Sequence, residues 1–400
     1  MATKISIKQI LLTNQNWWNF YEKYECKIRV SIVYCIIKLL SCKTAILGYK
    51  KYACSNPDCS NSKYVPHTCK CKACSSCGKK ATEAWIQKQN NVLPDTTWQH
   101  ITFTMPSELW DFFWCNRYLL NEVCKLAANC ILMLAANKGV TPGIFVALHT
   151  FGRDLKRNVH VHLSTTQGGI TTDLKSWKSL YFKQSILMNL WRYNIVTLFR
   201  NAYKKNKLII PPSIKSQLNN AFTFEQLLNS LYKKYWMVHC AKSTPTPKLT
   251  IAYLGRYFKR PPIAESKLKH YDGNEVTFKY LDHTSGTYRN FKLSAEDFIG
   301  RFVQHIPDTG FRMIRYYGFL ANRIRGKILP IVYDLLGQEA KTAKAPTYAE
   351  LLQRAFGVDP FKCILCGQQL ILTEYSFGKT KAKGLLNFHQ ELAQFQIQNF

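Results

Sequence analysis

Apolar and polar positions alternate most cleanly at Val159-His160-Val161-His162-Leu163, and a period of two predicts a strand there. Val159, Val161 and Leu163 turn to a core, and His160 and His162 share the other face. A second apolar run, Ile144-Phe145-Val146-Ala147-Leu148, ends at His149. The segment between them carries Gly152, Arg153, Asp154 and Asn158, which suit a reversing loop. A third alternating run, Gln99-His100-Ile101-Thr102-Phe103-Thr104-Met105, stops at Pro106. Ser107, with Glu108 and Asp111 in the next turn, predicts the capped start of a helix running through Leu119, Leu120, Val123, Leu126 and Ala127 toward Met133. Residues 173–236 read as helices broken at Pro211-Pro212, followed by a short strand at Trp236-Met237-Val238-His239-Cys240. A helix around Tyr253-Leu254-Gly255-Arg256-Tyr257-Phe258-Lys259-Arg260 ends at Pro261-Pro262. Glu275–Leu281 and Thr287–Phe291 flank a Gly286 turn as a hairpin. Ser294 caps a further helix, with Asp297 at the capping-box position and Phe298, Phe302 and Val303 as its apolar stripe. Residues 1–50 read as helical, from Trp17, Trp18, Phe20, Tyr21 and Tyr24 to Ile32, Val33, Ile36, Ile37, Leu39 and Leu40, with no evident chemistry. Strand, helix, strand, strand opens an α+β fold with an antiparallel core and helices on one face.

Two imidazoles two residues apart on a stiff strand can reach one metal ion. A return of the chain through 150–158 brings His149 beside them, giving three imidazoles with coordination positions left open, as a catalytic ion needs. Tyr253 and Tyr257 are spaced i, i+4 and share a helix face, with Arg256, Lys259 and Arg260 around them. A tyrosine hydroxylate is a competent nucleophile toward phosphorus when a metal polarises the phosphate. The plainer alternatives are two surface histidines and two tyrosines packing a helix on a sheet.

Charge narrows the partner. Lys and Arg number 55 against 24 Asp and Glu, a net +31 spread along the chain, and nucleic acid is the matching counter-charge. No run of 18 apolar residues is free of charge: Val30–Leu47 is interrupted by Lys38 and Lys43 and reads as buried helix, not a membrane span. The start of the chain lacks a signal-peptide pattern, and 15 cysteines without one point to a reducing compartment and to metal, not disulfides.

Six cysteines fall between 51 and 80: Cys54, Cys59, Cys69, Cys71, Cys74 and Cys77. The Cys74-x-x-Cys77-Gly78 half-knuckle and the wider Cys54–Cys59 pair predict one tetrahedral structural zinc site, in a segment too poor in apolar residues to fold without one. Cys69 could replace Cys59 or serve a second ion, and Cys71 is the spare. Lys63, Lys70, Lys72, Lys79 and Lys80 suggest that this module also touches phosphate. Cys26, Cys35 and Cys42 lack ligand spacing and read as buried thiols. Cys363-Ile364-Leu365-Cys366-Gly367 is another half-knuckle. It borrows ligands from elsewhere in the chain or from a partner, or it is vestigial.

Together the His-hydrophobic-His strand and the paired tyrosines resemble the HUH endonuclease superfamily, and within it the two-tyrosine rolling-circle transposases of insertion-sequence family ninety-one. The resemblance runs in order through CSSCGKKATEAW, HITFTMPSELW, ALHTFGRDLKRNVHVHL, YLGRYFKRPPI and FIGRFVQHIPDTGFRMIRYYGFLANRIRGKILP, most of residues 50–335. It implies a ferredoxin-like core and a transposase that cleaves and rejoins single-stranded DNA. His149, His160 and His162, three imidazoles that by themselves suit zinc or manganese, would by this resemblance hold Mg²⁺ or Mn²⁺, and Tyr253 or Tyr257 would form a 5′-phosphotyrosine. A third histidine upstream of the pair is also found in relaxases of the superfamily. His305 and the run Arg312, Arg315, Arg323, Arg325, Lys327 resemble the family's downstream DNA-binding segment. The expected division is a helical lead-in (1–50), a zinc-binding domain (51–92), a nuclease and strand-transfer domain (96–265), a basic extension (266–340) and a tail (341–400), in a cytoplasmic protein acting on DNA. Replication initiators and relaxases share this chemistry, and a zinc-stapled DNA-binding protein without activity is the rival from another class. A zinc hydrolase would want a further acid or histidine soon after the pair, and Leu163-Ser164-Thr165-Thr166 offers none.

Overall fold

The three alternating runs become neighbouring strands of one antiparallel sheet. The computed structural model describes residues 5–258, 261–282, 285–339, 347–357, 359–378 and 389. Helices α1 (Ile7–Leu12), α2 (Asn16–Tyr24) and α3 (Val30–Leu40) lead to strands β1 (Gly48–Cys54) and β2 (Ser62–Pro66) and to helix α4 (Ser75–Asn90). The central unit then runs β3 (Trp98–Phe103), α5 (Trp110–Cys115), α6 (Leu120–Ala136), β4 (Val140–Phe151), β5 (Arg157–Thr171), β6 (Trp177–Ser179), α7 (Gln184–Lys204), α8 (Ala221–Lys233), β7 (Val238–Cys240) and α9 (Pro247–Phe258). Strands β8 (Leu268–Tyr271), β9 (Glu275–Leu281) and β10 (Tyr288–Ser294), helix α10 (Ala295–Gln304), strand β11 (Ile314–Gly318), helices α11 (Arg325–Leu335) and α12 (Tyr348–Phe356) and strand β12 (Leu370–Phe377) follow.

The central sheet has the order β11-β4-β5-β3-β7, with β6 on the far part of β5. Ile144, Val146 and Leu148 of β4, Val159, Val161 and Leu163 of β5, and Ile101 and Phe103 of β3 turn to one face. There they meet Phe112, Val123, Ile131, Trp191, Phe199 and Phe224 of α5–α8 in the largest core. This is the α+β sheet with its layer of helices expected from the pattern. The other face carries Trp98, Phe145 and Ala147, and at one end α4, α9 and α11 cover it through Trp85, Ile251, Leu329 and Val332. A third core joins α1–α3 to β8, β9 and α10, so the helical start of the chain packs against the hairpin that follows the central unit. Ser294 caps α10 as expected, accepting from the Asp297 N–H at 3.0 Å.

The long helix read after Pro106 is broken. Ser107 sits inside a 3₁₀ turn and makes no cap bond. The chain leaves helical geometry at Asn116 (φ −128°, ψ 60°) before α6 begins. The Asn116 side chain accepts from the Ile209 N–H at 2.8 Å and donates to the Ile209 carbonyl at 2.7 Å. A buried amide that satisfies a distant backbone segment holds the break open. Residues 117–136 are apolar and long enough to cross a membrane, but Leu120, Val123, Ala127 and Ile131 are spent in the largest core.

Candidate metal centre and cysteine clusters

His149, His160 and His162 converge through sheet register. His149 lies directly opposite His160 on the neighbouring strand, and Ala147 lies opposite His162. Cross-strand partners stand within reach of each other, and residues two apart on β5 share a face. The ring centroids are 5.3 Å apart for His149–His160, 4.7 Å for His149–His162 and 5.0 Å for His160–His162. One ligand nitrogen from each lies within 4.8 Å of the others.

Their surroundings keep the His160 and His162 rings neutral. Burial lowers His160 to about 4. Burial, and then repulsion from His149, His160 and His100, holds His162 well below the ordinary imidazole range. Neutral imidazole is the ligand form. The His160 Nδ1 lies 2.9 Å from the Asn158 carbonyl, which can only accept. Nδ1 therefore carries the proton and Nε2 presents a bare lone pair.

His100, which the sequence offered only as one polar position of a strand, belongs to this cluster. On β3 it stacks on His162 with centroids 5.2 Å apart, and its Nε2 lies 3.1 Å from His162 Nδ1. The Thr102 hydroxyl touches both rings, at 3.2 and 3.5 Å. Burial lowers His100 to about 4. His305, expected on the DNA-facing segment, is instead buried at the end of α10. Its Nε2 donates to the Leu155 carbonyl at 2.9 Å, and its Nδ1 is 3.2 Å from the Thr150 hydroxyl, which pins the turn beyond His149. Its buried position follows from the apolar face of α10, which packs into the core with α1–α3.

Tyr253 and Tyr257 lie on α9, which packs on α4 and on β3, the strand next to β5. The side chains of Tyr253, Arg256 and Tyr257, and all of Lys259 and Arg260, lie outside the described residues. Gly255 fits α9 closely against α4: a Cβ there would come 2.6 Å from Ile86.

The cysteines form two clusters where spacing suggested one. Cys42, Cys69, Cys74 and Cys77 are all buried, with their sulfurs mutually within 4.8 Å. Cys42 follows α3, Cys69 lies in the loop before α4, and Cys74 and Cys77 open that helix. The Cys69 N–H donates to the Cys42 sulfur, and the Cys71 N–H to the Cys69 sulfur, each at 3.4 Å. Hydrogen bonds from Cys69 and Cys74 pull Cys42 down to about 7. Four buried sulfurs with backbone donors fit a structural zinc. The reading of Cys42 as an isolated buried thiol is thereby corrected, since the end of α3 carries it onto the knuckle. Cys26 is exposed. Cys35 and Cys71, also read as free, are joined by a disulfide with Cα atoms 6.3 Å apart, because the loop holding Cys71 lies on α3. Cys54 and Cys59 do not share the Cys74–Cys77 site. They meet Cys363 and Cys366, again within 4.8 Å, because β12 returns to pair with β1 from Gly48↔Phe377 to Cys54↔Leu370.

Basic side chains line two clefts among the described residues. One, of about 860 Å³, lies beside the cysteine clusters and is lined by Lys38, Lys50, Lys70, Lys80 and Tyr375. The other, of about 760 Å³, is lined by Arg117, Arg312 and Arg315, together with Asp308. Arg315 is anchored to Asn121 at 2.6 and 2.7 Å.

Residues 143–327 match a family model described as "Putative transposase", and residues 12–105 match the transposase zinc-binding domain. The chain is 41% identical over 392 residues to the transposase for insertion sequence element IS801 of Pseudomonas savastanoi pv. phaseolicola, covering 98% of this chain and 94% of that one. It is 28% identical over 353 residues to a protein of Sinorhizobium fredii (strain NBRC 101917 / NGR234) described as "Putative transposase y4qJ", covering 85% of this chain and 88% of that one. No solved structure matches. With both matched segments in order along one chain and a relative alike over nearly its whole length, the chain belongs to the transposases of insertion-sequence family ninety-one.

Proposed function

We propose that this transposase cleaves and rejoins single-stranded DNA through a covalent tyrosine intermediate, as rolling-circle transposition requires. The observation that carries the reading is the convergence of His149, His160 and His162 on one face of a rigid sheet. Bound there, Mg²⁺ or Mn²⁺ would polarise the scissile phosphate and steady its developing charge. Three imidazoles suit Mn²⁺ better than Mg²⁺, which prefers an all-oxygen shell. His162 presents Nε2 when its Nδ1 proton points to His100 Nε2, so His100 acts as a positioning residue.

The tyrosine helix α9 rests on β3, one strand from β5. In this reading the Tyr253 or Tyr257 oxygen attacks phosphorus, the P–O3′ bond breaks, and the departing 3′-oxygen takes up a proton. A 5′-phosphotyrosine and a free 3′-hydroxyl result, and the reverse attack by a 3′-hydroxyl rejoins the strand without ATP. Two tyrosines allow two strands to be held at once. The +31 net charge and the two basic clefts supply the counter-charge for the strand.

A labelled single-stranded oligonucleotide carrying a transposon end, incubated with Mn²⁺, should form a covalent adduct that mass spectrometry maps to Tyr253 or Tyr257. The Tyr253→Phe/Tyr257→Phe double variant should form none. Undiminished adduct in that variant would discard the mechanism.

A further inference from the structure

We propose that Cys54, Cys59, Cys363 and Cys366 form a second structural zinc site, one that staples the tail of the chain to its first hairpin. Cys363 and Cys366 lie outside both family matches, which end at residues 105 and 327. The four sulfurs come from two facing turns. Cys54 Sγ is 3.3 Å from Cys366 Sγ, and Cys59 Sγ is 3.9 Å from Cys363 Sγ. Each close pair thus joins one turn to the other, and all four thiols are free. Four soft donors mutually within 4.8 Å describe a tetrahedral thiolate site of the zinc-ribbon kind.

Both turns have the build of ligand knuckles. In the first, the Cys54 N–H donates to Asn61 O and the Cys59 N–H to Asn56 O, each at 3.0 Å. In the second, the Cys363 N–H donates to Gln368 O at 2.7 Å and the Gly367 N–H to Cys363 O at 3.0 Å. Gly367 sits at φ +76°, a conformation that favours glycine, at the step that closes the knuckle. Donors already aim at the sulfurs: Asn61 Nδ2 reaches Cys363 Sγ at 3.1 Å, and the Asn56 N–H reaches Cys54 Sγ at 3.5 Å. Such outer donors steady thiolates on a metal.

The module has little else to hold it. Its buried apolar set is Tyr52, Cys363 and Leu370, and Ile364, Ile371 and Leu372 stay exposed. A three-stranded sheet with so small a core does not persist unaided, and metal binding supplies the missing stability. The site shares no ligand with the Cys42, Cys69, Cys74, Cys77 cluster, so the two should load and fail separately.

The test is the metal content of the full chain. Wild-type protein should carry about one zinc more per chain than the Cys363→Ser/Cys366→Ser variant, by elemental analysis. After cobalt exchange, that variant should lose one site's share of the sulfur-to-cobalt absorption. Cys366→His preserves a ligand and should keep the metal with a shifted cobalt spectrum, which separates loss of a ligand from general misfolding. Trypsin should cut residues 359–377 faster in the double serine variant, with amide protection of β4 and β5 unchanged. Equal zinc content in the wild type and the double serine variant, or iron in place of zinc, would overturn the assignment.

Discussion

The histidine centre and the cysteine clusters are both ligand sets without acids, yet they are built in opposite ways. The imidazoles stand on β4 and β5, strands that run side by side from Val140↔Thr171 to Phe151↔Arg157 over the largest core. That scaffold exists whether or not an ion is bound, so the site is preorganised and can leave positions open for substrate. The Cys42, Cys69, Cys74 and Cys77 thiols lie in the core built on α1–α3, but Cys54, Cys59, Cys363 and Cys366 stand on turns whose buried apolar support is little more than Tyr52 and Leu370. There the ion is part of the fold. In the proposed mechanism the catalytic ion would sit on a scaffold that does not need it, whereas a structural ion sits where the scaffold does.

That contrast is open to direct attack. The largest effect should come from Cys77→Ser. Structural zinc sites contribute on the order of 10 kcal/mol in apparent binding free energy. The variant should therefore lose zinc and amide protection across α3 and α4 while β4 and β5 stay protected in hydrogen exchange. Simultaneous loss of protection in β4 and β5 would erase the distinction. By contrast, His160→Ala should leave the melting temperature nearly unchanged and slow strand cleavage by roughly a thousandfold, the equivalent of several kcal/mol of lost charge stabilisation.

A smaller effect is expected at His100→Ala. Outer partners of metal-bound histidines typically contribute ten- to a hundredfold in affinity. Mn²⁺ affinity should fall within about that range, by calorimetric titration, with little change in zinc content. An unaltered Mn²⁺ affinity would remove His100 from the site.

The mildest lever is pH. Burial holds His305 at about 3 and His100 at about 4, whereas an unfolded imidazole titrates near 6.5. Between those values the unfolded chain binds more protons, so stability falls as pH falls, by up to about 1.4 kcal/mol per pH unit for each such histidine. Melting temperature should decline from pH 6.5 toward 4, and His305→Gln should make the decline shallower. An equally steep decline in that variant would mean that other groups carry it.

Much of the histidine centre was legible because it is local. Period-two alternation placed His160 and His162 on one face, and a short return brought His149 back to them. His100 was not, because its partnership with His162 comes from the pairing of β3 with β5, 62 residues apart, and no spacing encodes that register. The cysteines failed for the same reason on a larger scale. Half-knuckles advertise themselves, but which halves meet depends on which strands pair. Spacing joins Cys54–Cys59 to its sequence neighbour Cys74–Cys77, whereas the fold brings it to Cys363–Cys366, more than 300 residues on. Cys42 has no companion in sequence, and only the direction of α3 delivers it. The break at Asn116 was hidden because its cause, the backbone of Ile209, is 93 residues away.

The pairing of Gly48 with Phe377 also sets a timetable. A ribosome adding about 5–20 residues per second exposes the first hairpin early and its third strand only some 15 to 65 seconds later. Through that interval β1 presents an open, hydrogen-bond-hungry edge to the cell. A message cut short before codon 363 leaves that edge uncovered for good.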